Sequence, residues 1–177
     1  MEDKTASLAA LARAGDKEAF SALYADCYRE LYRFALASLR NPYDAEDVVS
    51  ETVIDAFRGI AGLREDTAFK GWIYRILACK IKRKFRQYAT HRENSAPPDH
   101  MIWEAQAAQE HTQLHLELSD LLKRLPDVDR MIVVLAVYDN YTSAEISHIV
   151  SINRSTVRSR LARALKKMRV MLEQTSE

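Results

Sequence analysis

Residues 141–169 read YTSAEISHIVSINRSTVRSRLARALKKMR, and two helix starts stand close together within them. In the first, Thr142 and Glu145 form a T-x-x-E capping box, with Ile146, Ile149 and Val150 as the inward face. In the second, Asn153 is a good N-cap, and Ile152 and Val157 occupy the two ends of a hydrophobic staple. Two helices joined by about three residues are a helix-turn-helix candidate. On a helical wheel Val157, Leu161, Ala164, Leu165 and Met168 share one stripe, while Ser155, Ser159, Ala162, Arg163 and Lys166 point the other way. Arg158 and Arg169 flank one side of that face, and Arg160 and Lys167 the other. Small and hydrogen-bonding side chains ringed by arginines suit a helix that enters the major groove and is steered by phosphates. The candidate DNA contacts are Arg154, Ser155, Arg158, Ser159, Ala162, Arg163 and Lys166. An ordinary solvated helix mixes signs, whereas residues 154–169 hold seven bases and no acid. A membrane-surface helix would carry Trp or Phe on its apolar stripe, and this one does not.

Working outward, the chain of 177 residues has four glycines and four prolines, too few tight turns for a many-stranded protein. The apolar residues Leu8, Leu11, Phe20, Leu23, Tyr24, Cys27, Leu31, Leu36 and Leu39 recur at helical spacing, with a break near Gly15. They predict a short helix and then a longer one ended by Asn41 and Pro42. A third helix starts at Asp44, a loop follows around Gly59 and Gly62, and a fourth helix runs from about Ala68 to Tyr88. The polar stretch with Pro97 and Pro98 reads as a linker. Beyond it, Leu114, Leu118, Leu121, Leu122 and Leu125 mark one helix and Met131 to Val137 another. The expected fold is all-α, with helical domains at 1–92 and 113–177 joined by a flexible linker at 93–112.

The net charge of +1 conceals strong segregation along the chain. Residues 70–92 hold eight Lys or Arg and no acid, whereas residues 44–66 hold seven acids and two bases. Arg64 and Phe69 in the loop before the basic run, then Trp72 and Tyr74 within it, place aromatic rings near cations, an arrangement that can hold unstacked bases. Trp72 reads equally as core. The acidic stretch DAEDVVSETVIDAFR, residues 44–58, carries Asp44, Glu46, Asp47, Glu51 and Asp55. The first three suit a helix N-terminus, with Asp44 as N-cap. Glu51 and Asp55 lie too far along to gain from it, and with Asp47 they form an i, i+4, i+8 ridge. Such a ridge facing DNA would repel it, so it should face a basic protein.

Cys27 and Cys79 sit far apart on helical patterns and read as reduced thiols, not a disulfide. No leader pattern or membrane-length apolar run appears, which predicts a soluble cytoplasmic protein with no direct membrane partner. No Gly-rich phosphate loop or catalytic constellation is present, so no enzyme activity and no cofactor are expected. His111 and His115 share a helix face, but a pair alone makes no metal site. A freestanding helix-turn-helix regulator and a protein-binding helical adaptor are alternatives that these features allow.

Taken together, these segments resemble the extracytoplasmic-function sigma factors, the small promoter-specificity subunits of bacterial RNA polymerase. DAEDVVSETVIDAFR resembles their region 2 signature and FKGWIYRIL the segment after it. LPDVDRMIVVL, YTSAEISHIV and STVRSRLARALKKMR are similar to region 4. The resemblance implies that Asp44, Glu46, Asp47 and Glu51 dock on core RNA polymerase, whose contacts are the largest-subunit clamp helices and the flap. It implies a base pocket in the loop 59–67, minus-10 promoter contacts by Lys80, Arg83 and Lys84, and minus-35 contacts by the last helix. An anti-sigma factor is the implied regulator. Two departures stand out: Ser151 replaces the glycine usual in the helix-turn-helix turn, so that turn needs another backbone solution, and ACKIKRKF lacks the usual Asn and Asp.

Overall fold

The computed structural model describes residues 2–94 and 120–175. Among them every regular element is helical. The first domain comprises α1 (Glu2–Arg13), α2 (Lys17–Leu39), α3 (Pro42–Gly59) and α4 (Phe69–Asn94). The second comprises a helical turn at 120–123, then α5 (Asp127–Val137), α6 (Ser143–Val150) and α7 (Arg154–Thr175). The all-α expectation holds. The expected linker lies outside the described residues, as do Leu114, Leu118, His111 and His115, except that Glu93 and Asn94 continue α4.

Local chemistry sets the helix limits. Asp16 caps α2, its Oδ1 accepting from the backbone N–H of Glu18 at 2.9 Å and of Ala19 at 3.0 Å. Asn41 caps α3 in the same way, accepting from Tyr43 at 3.0 Å and Asp44 at 3.3 Å, with Pro42 opening the helix. Asp44 is therefore not the N-cap expected of it; it lies inside the first turn. Asn41 and Pro42 do not end the preceding helix but start the next one. The capping box of Thr142 and Glu145 is formed as expected, and Asn153 accepts from Ser155 N–H at 3.0 Å.

With so few glycines, other residues take the left-handed conformation at helix ends. Gly15 does so after α1 at φ 101°, but Arg40, Asn140 and Ser151 follow α2, α5 and α6 at φ 59°, 55° and 50°. Ser151 thus adopts the glycine geometry itself instead of avoiding it. Its N–H and that of Ile152, the latter at 3.2 Å, both bond the Ser147 carbonyl and close α6. The cost is a Cβ crowded against its own carbonyl.

The first core joins Leu23, Leu31 and Phe34 of α2, Val48 and Val49 of α3, and Ile73, Leu77 and Ile81 of α4, all essentially without solvent contact. The second joins Met131, Ile132 and Leu135 of α5 with Ile146 and Val150 of α6 and Val157, Ala164 and Met168 of α7. The domains touch where α2 meets α5 and α4 meets α6. Replacing Ser151 by glycine should raise the unfolding free energy by about 0.5–1 kcal/mol, the relieved strain outweighing the added chain entropy. Urea denaturation measures it; a drop in stability would show that the Ser151 side chain contributes more than its strain costs.

Candidate nucleic-acid interface

On α7 the candidate contacts are exposed, while two of the flanking cations are tethered to the rest of the domain. Arg154, Ser155, Arg158, Ser159, Ala162, Arg163 and Lys166 are all exposed. Arg160 instead pairs with Asp129 of α5 at 2.8 Å, and Lys167 donates to the Arg124 carbonyl at 2.9 Å. Both flanking cations on that side hold the domain together. Arg163 Nε donates to the Ser159 carbonyl at 3.3 Å, which leaves the rest of its guanidinium fork directed outward from the helix face. Leu165, placed on the apolar stripe by the wheel, is 42% exposed.

On α4 two expectations are corrected. Phe69 and Tyr74 are 1% and 0% exposed, so neither ring is available to a base. Phe69 lies four residues before Ile73 on the inward stripe, and its ring sits 6.1 Å from that of Trp72. Tyr74 faces Phe34 at 5.6 Å and Tyr141 of the second domain at 5.2 Å. Burial pushes its hydroxyl pKa well above the ordinary phenol value. Trp72 is half-buried against Gly59, where an added Cβ would lie 3.4 Å from the indole. It borders a shallow open groove of about 460 Å³ with Arg75, Ile76, Cys79, Lys80, Arg83, Arg86 and Asp55. Arg75 and Arg86 were not among the candidate contacts. The signal was present, since 72, 75, 76, 79, 83 and 86 fall at i, i+3, i+4 spacing on one helix face.

The acidic ridge also has a different partner from the one expected. Lys80 Nζ reaches Asp55 at 2.6 Å and Glu51 at 3.1 Å, and Lys84 Nζ reaches Asp44 and Asp47, each at 2.8 Å. Arg83 pairs with Glu51 and the Tyr88 hydroxyl donates to Asp44. The helices run antiparallel, so carboxylates at 44, 47, 51 and 55 meet a basic edge at 84, 83 and 80. The basic surface that Glu51 and Asp55 call for is therefore in their own domain. Lys80 and Lys84 are mostly covered, at 11% and 16% side-chain exposure, and are held by protein. The exposed side chains of α3 are Tyr43, Glu46, Asp47, Ser50, Ile54, Asp55, Phe57 and Arg58. In the loop 59–67, Leu63 is buried, Arg64 is exposed, and Arg13 of α1 clamps Asp66 at 2.6 Å.

Burial raises the Asp44 pKa, but hydrogen bonds from Lys84 and Tyr88 outweigh it, and the carboxyl falls below its ordinary value. Lys84 loses to burial and gains more from Asp44 and Asp47, so its pKa rises. A depressed carboxyl stabilises the fold above its unfolded pKa near 4 and loses that contribution as pH falls through the folded value. Lys84→Met should therefore cost about 1–3 kcal/mol at neutral pH. Chemical denaturation across pH checks this: the gap from wild type should begin to shrink as pH falls below about 4 and close as it passes through the depressed folded pKa, where the wild-type Asp44 is protonated as well.

Comparison with known proteins places these surfaces in a family. Residues 23–90 match Sigma-70 region 2 and residues 115–168 match Sigma-70, region 4. The chain is 30% identical over 172 residues to the ECF RNA polymerase sigma factor SigM of Mycobacterium tuberculosis, covering 97% of this chain and 86% of that one. It is 28% identical over 160 residues to the RNA polymerase sigma factor SigV of Bacillus subtilis, covering 88% and 95%. Its fold is similar to CnrH solved with the cytosolic domain of CnrY, at TM-score 0.73 and 22% identity over 97% and 98% of the two chains. It is also similar to the sigma factor RpoE of Bartonella quintana, solved with the anti-sigma factor NepR, at TM-score 0.73 and 20% identity over 87% and 96%. Two region matches in order, with a full-length relative, show that the chain belongs to the ECF family of RNA polymerase sigma factors.

Proposed function

We propose a division of surfaces for this non-catalytic specificity subunit of RNA polymerase. The outward face of α7 reads the minus-35 element, with Arg158 and Arg163 reaching base edges and Arg154 and Lys166 contacting phosphates. The α4 groove around Trp72, Arg75, Arg83 and Arg86, with the loop bearing Arg64, contacts the minus-10 element. Core polymerase docks on the outer face of α3 through Glu46, Asp47, Ile54 and Phe57. The two domains correspond to residues 1–92 and 113–177. The observation carrying this reading is the sorting of α7: Arg160 and Lys167 are tied to their own domain, while Arg154, Arg158, Arg163 and Lys166 are exposed with no ion-pair partner among the described residues.

The protein works in the cytoplasm, where its polymerase and DNA are; no described helix is long and apolar enough to cross a membrane. An anti-sigma factor restrains it, as the complex of the structurally similar RpoE with NepR illustrates for this fold. A freestanding regulator or an adaptor would need neither region match, so those alternatives are set aside.

Arg158→Ala and Arg163→Ala should each weaken use of the preferred upstream element by about 1–3 kcal/mol in transcription assays with reconstituted polymerase. An equal loss on every upstream sequence would make them phosphate contacts only. The paired ridge cannot test docking, because charge reversal there also breaks α3 from α4. Glu46→Lys with Ile54→Glu should instead lower affinity for core polymerase at least tenfold with the melting temperature unchanged; unaltered affinity would remove α3 as the docking face.

A further inference from the structure

The outward face of α7 carries two hydroxyls whose protons are already committed. Ser155 Oγ donates to Asn153 Oδ1 at 2.9 Å, and Ser159 Oγ donates to the Thr156 carbonyl at 3.0 Å. Neither partner leaves the direction open. A carbonyl oxygen has no hydrogen to give, so the Ser159 hydroxyl is the donor there. The Asn153 amide is oriented by the Ser155 backbone N–H, which donates to the same Oδ1 at 3.0 Å and would face another donor if the amide nitrogen stood in its place. Asn153 is itself held, because its carbonyl accepts the Val157 N–H at 2.9 Å in the first turn of the helix.

With their protons turned back into the protein, both serines present only lone pairs outward. Both are exposed, and they stand one turn apart on one helix face. The other candidate contacts with polar side chains, Arg154, Arg158, Arg163 and Lys166, are donors only. The serines are therefore the acceptors of this face. In the major groove an acceptor suits the exocyclic amines, N6 of adenine and N4 of cytosine. Guanine O6 and thymine O4 would instead set a lone pair against a lone pair. A hydroxyl free to rotate serves either kind of base, and a committed one distinguishes them.

We infer that Ser155 and Ser159 select amino bases, adenine or cytosine, over keto bases, guanine or thymine, at two nearby positions of the upstream element, and that Asn153 is a positioning residue setting the polarity of Ser155. This rests on the minus-35 reading of α7 proposed above. Arg158 and Arg163, as donors, suit guanine O6 and N7 instead, so the two residue types divide the base code between them. Capping alone accounts for the backbone bond to Asn153 but has no use for the Ser155 hydroxyl.

The test selects promoters from a library randomised across the upstream element, using polymerase reconstituted with the full chain as wild type, Ser155→Ala, Ser159→Ala or Asn153→Gly. Ser155→Ala should lower the preference for amino over keto bases about five- to tenfold at one position, and Ser159→Ala at a second, with the rest of the element read as before. Asn153→Gly, which costs an N-cap little stability, should relax the Ser155 position and spare the Ser159 position. Relaxation at both positions, or at neither, removes Asn153 from its positioning role. Unchanged preferences in the serine variants, or keto bases favoured by the wild type at the affected positions, overturn the inference. A loss equal across all upstream sequences overturns it too, being the mark of a phosphate contact. Arg158→Ala, run alongside, separates the two readings. If it also leaves the upstream preference untouched, the minus-35 reading of α7 fails; if it alone shifts the preference, only the serine assignment does. The serine variants keep every capping bond to the backbone and decide the matter if Asn153→Gly lowers the melting temperature.

Discussion

The two lysines held between four carboxylates, Lys80 and Lys84 of α4 against Asp44, Asp47, Glu51 and Asp55 of α3, are the interaction on which the first domain depends. Helix α4 is the hub of the molecule: it touches α1, α2 and α3 of its own domain and α6 of the other. A run of cations without one acid would repel itself along that helix. The carboxylates of α3 neutralise one edge and fix the α3–α4 register. Arg75 and Arg86 border the adjoining groove without an ion pair to α3, and Arg83 lines it while pairing with Glu51. Structural and groove cations thus overlap at Lys80 and Arg83.

Internal pairing of cations recurs in the second domain with different chemistry. Arg160 and Lys167 cross to Asp129 and to a carbonyl, and this orients α7 so that Arg158, Arg163 and Lys166 face away from its own core. The α6–α7 turn makes that orientation possible by holding Ser151 in the left-handed region. Strain at one residue sets the angle at which a whole helix is presented. A serine accepts it because the bonds closing α6 and the buried contacts of Val150 and Val157 over-determine the turn.

Most of the fold was legible in the sequence because helical periodicity, the capping box and the staple are local signals. The face of α7 was legible for the same reason, since a wheel assigns sides without knowing neighbours. The roles of the charged residues on α3 and α4 were not. The sequence displays an acidic ridge and a basic run separately, and their pairing depends on two helices lying antiparallel at one register. Phe69 and Tyr74 were misplaced by a related gap: aromatic rings beside cations read as a base-stacking platform until tertiary packing decides which rings face inward.

A net charge of +1 appears unsuited to a chain that must approach a polyanion. The total misleads because it counts cations whose fields are cancelled within a few ångströms. Counterion release follows the phosphates actually neutralised, so the relevant set on α7 is Arg154, Arg158, Arg163 and Lys166, which have no acidic partner among the described residues. The internal pairs keep long-range attraction low while leaving local attraction intact where a groove can reach. Such a surface gains little from non-specific contact with any duplex, because few of its cations are free to make it. It gains most where α7 enters the major groove and all of its outward cations act together, which favours a specificity subunit over a general DNA binder.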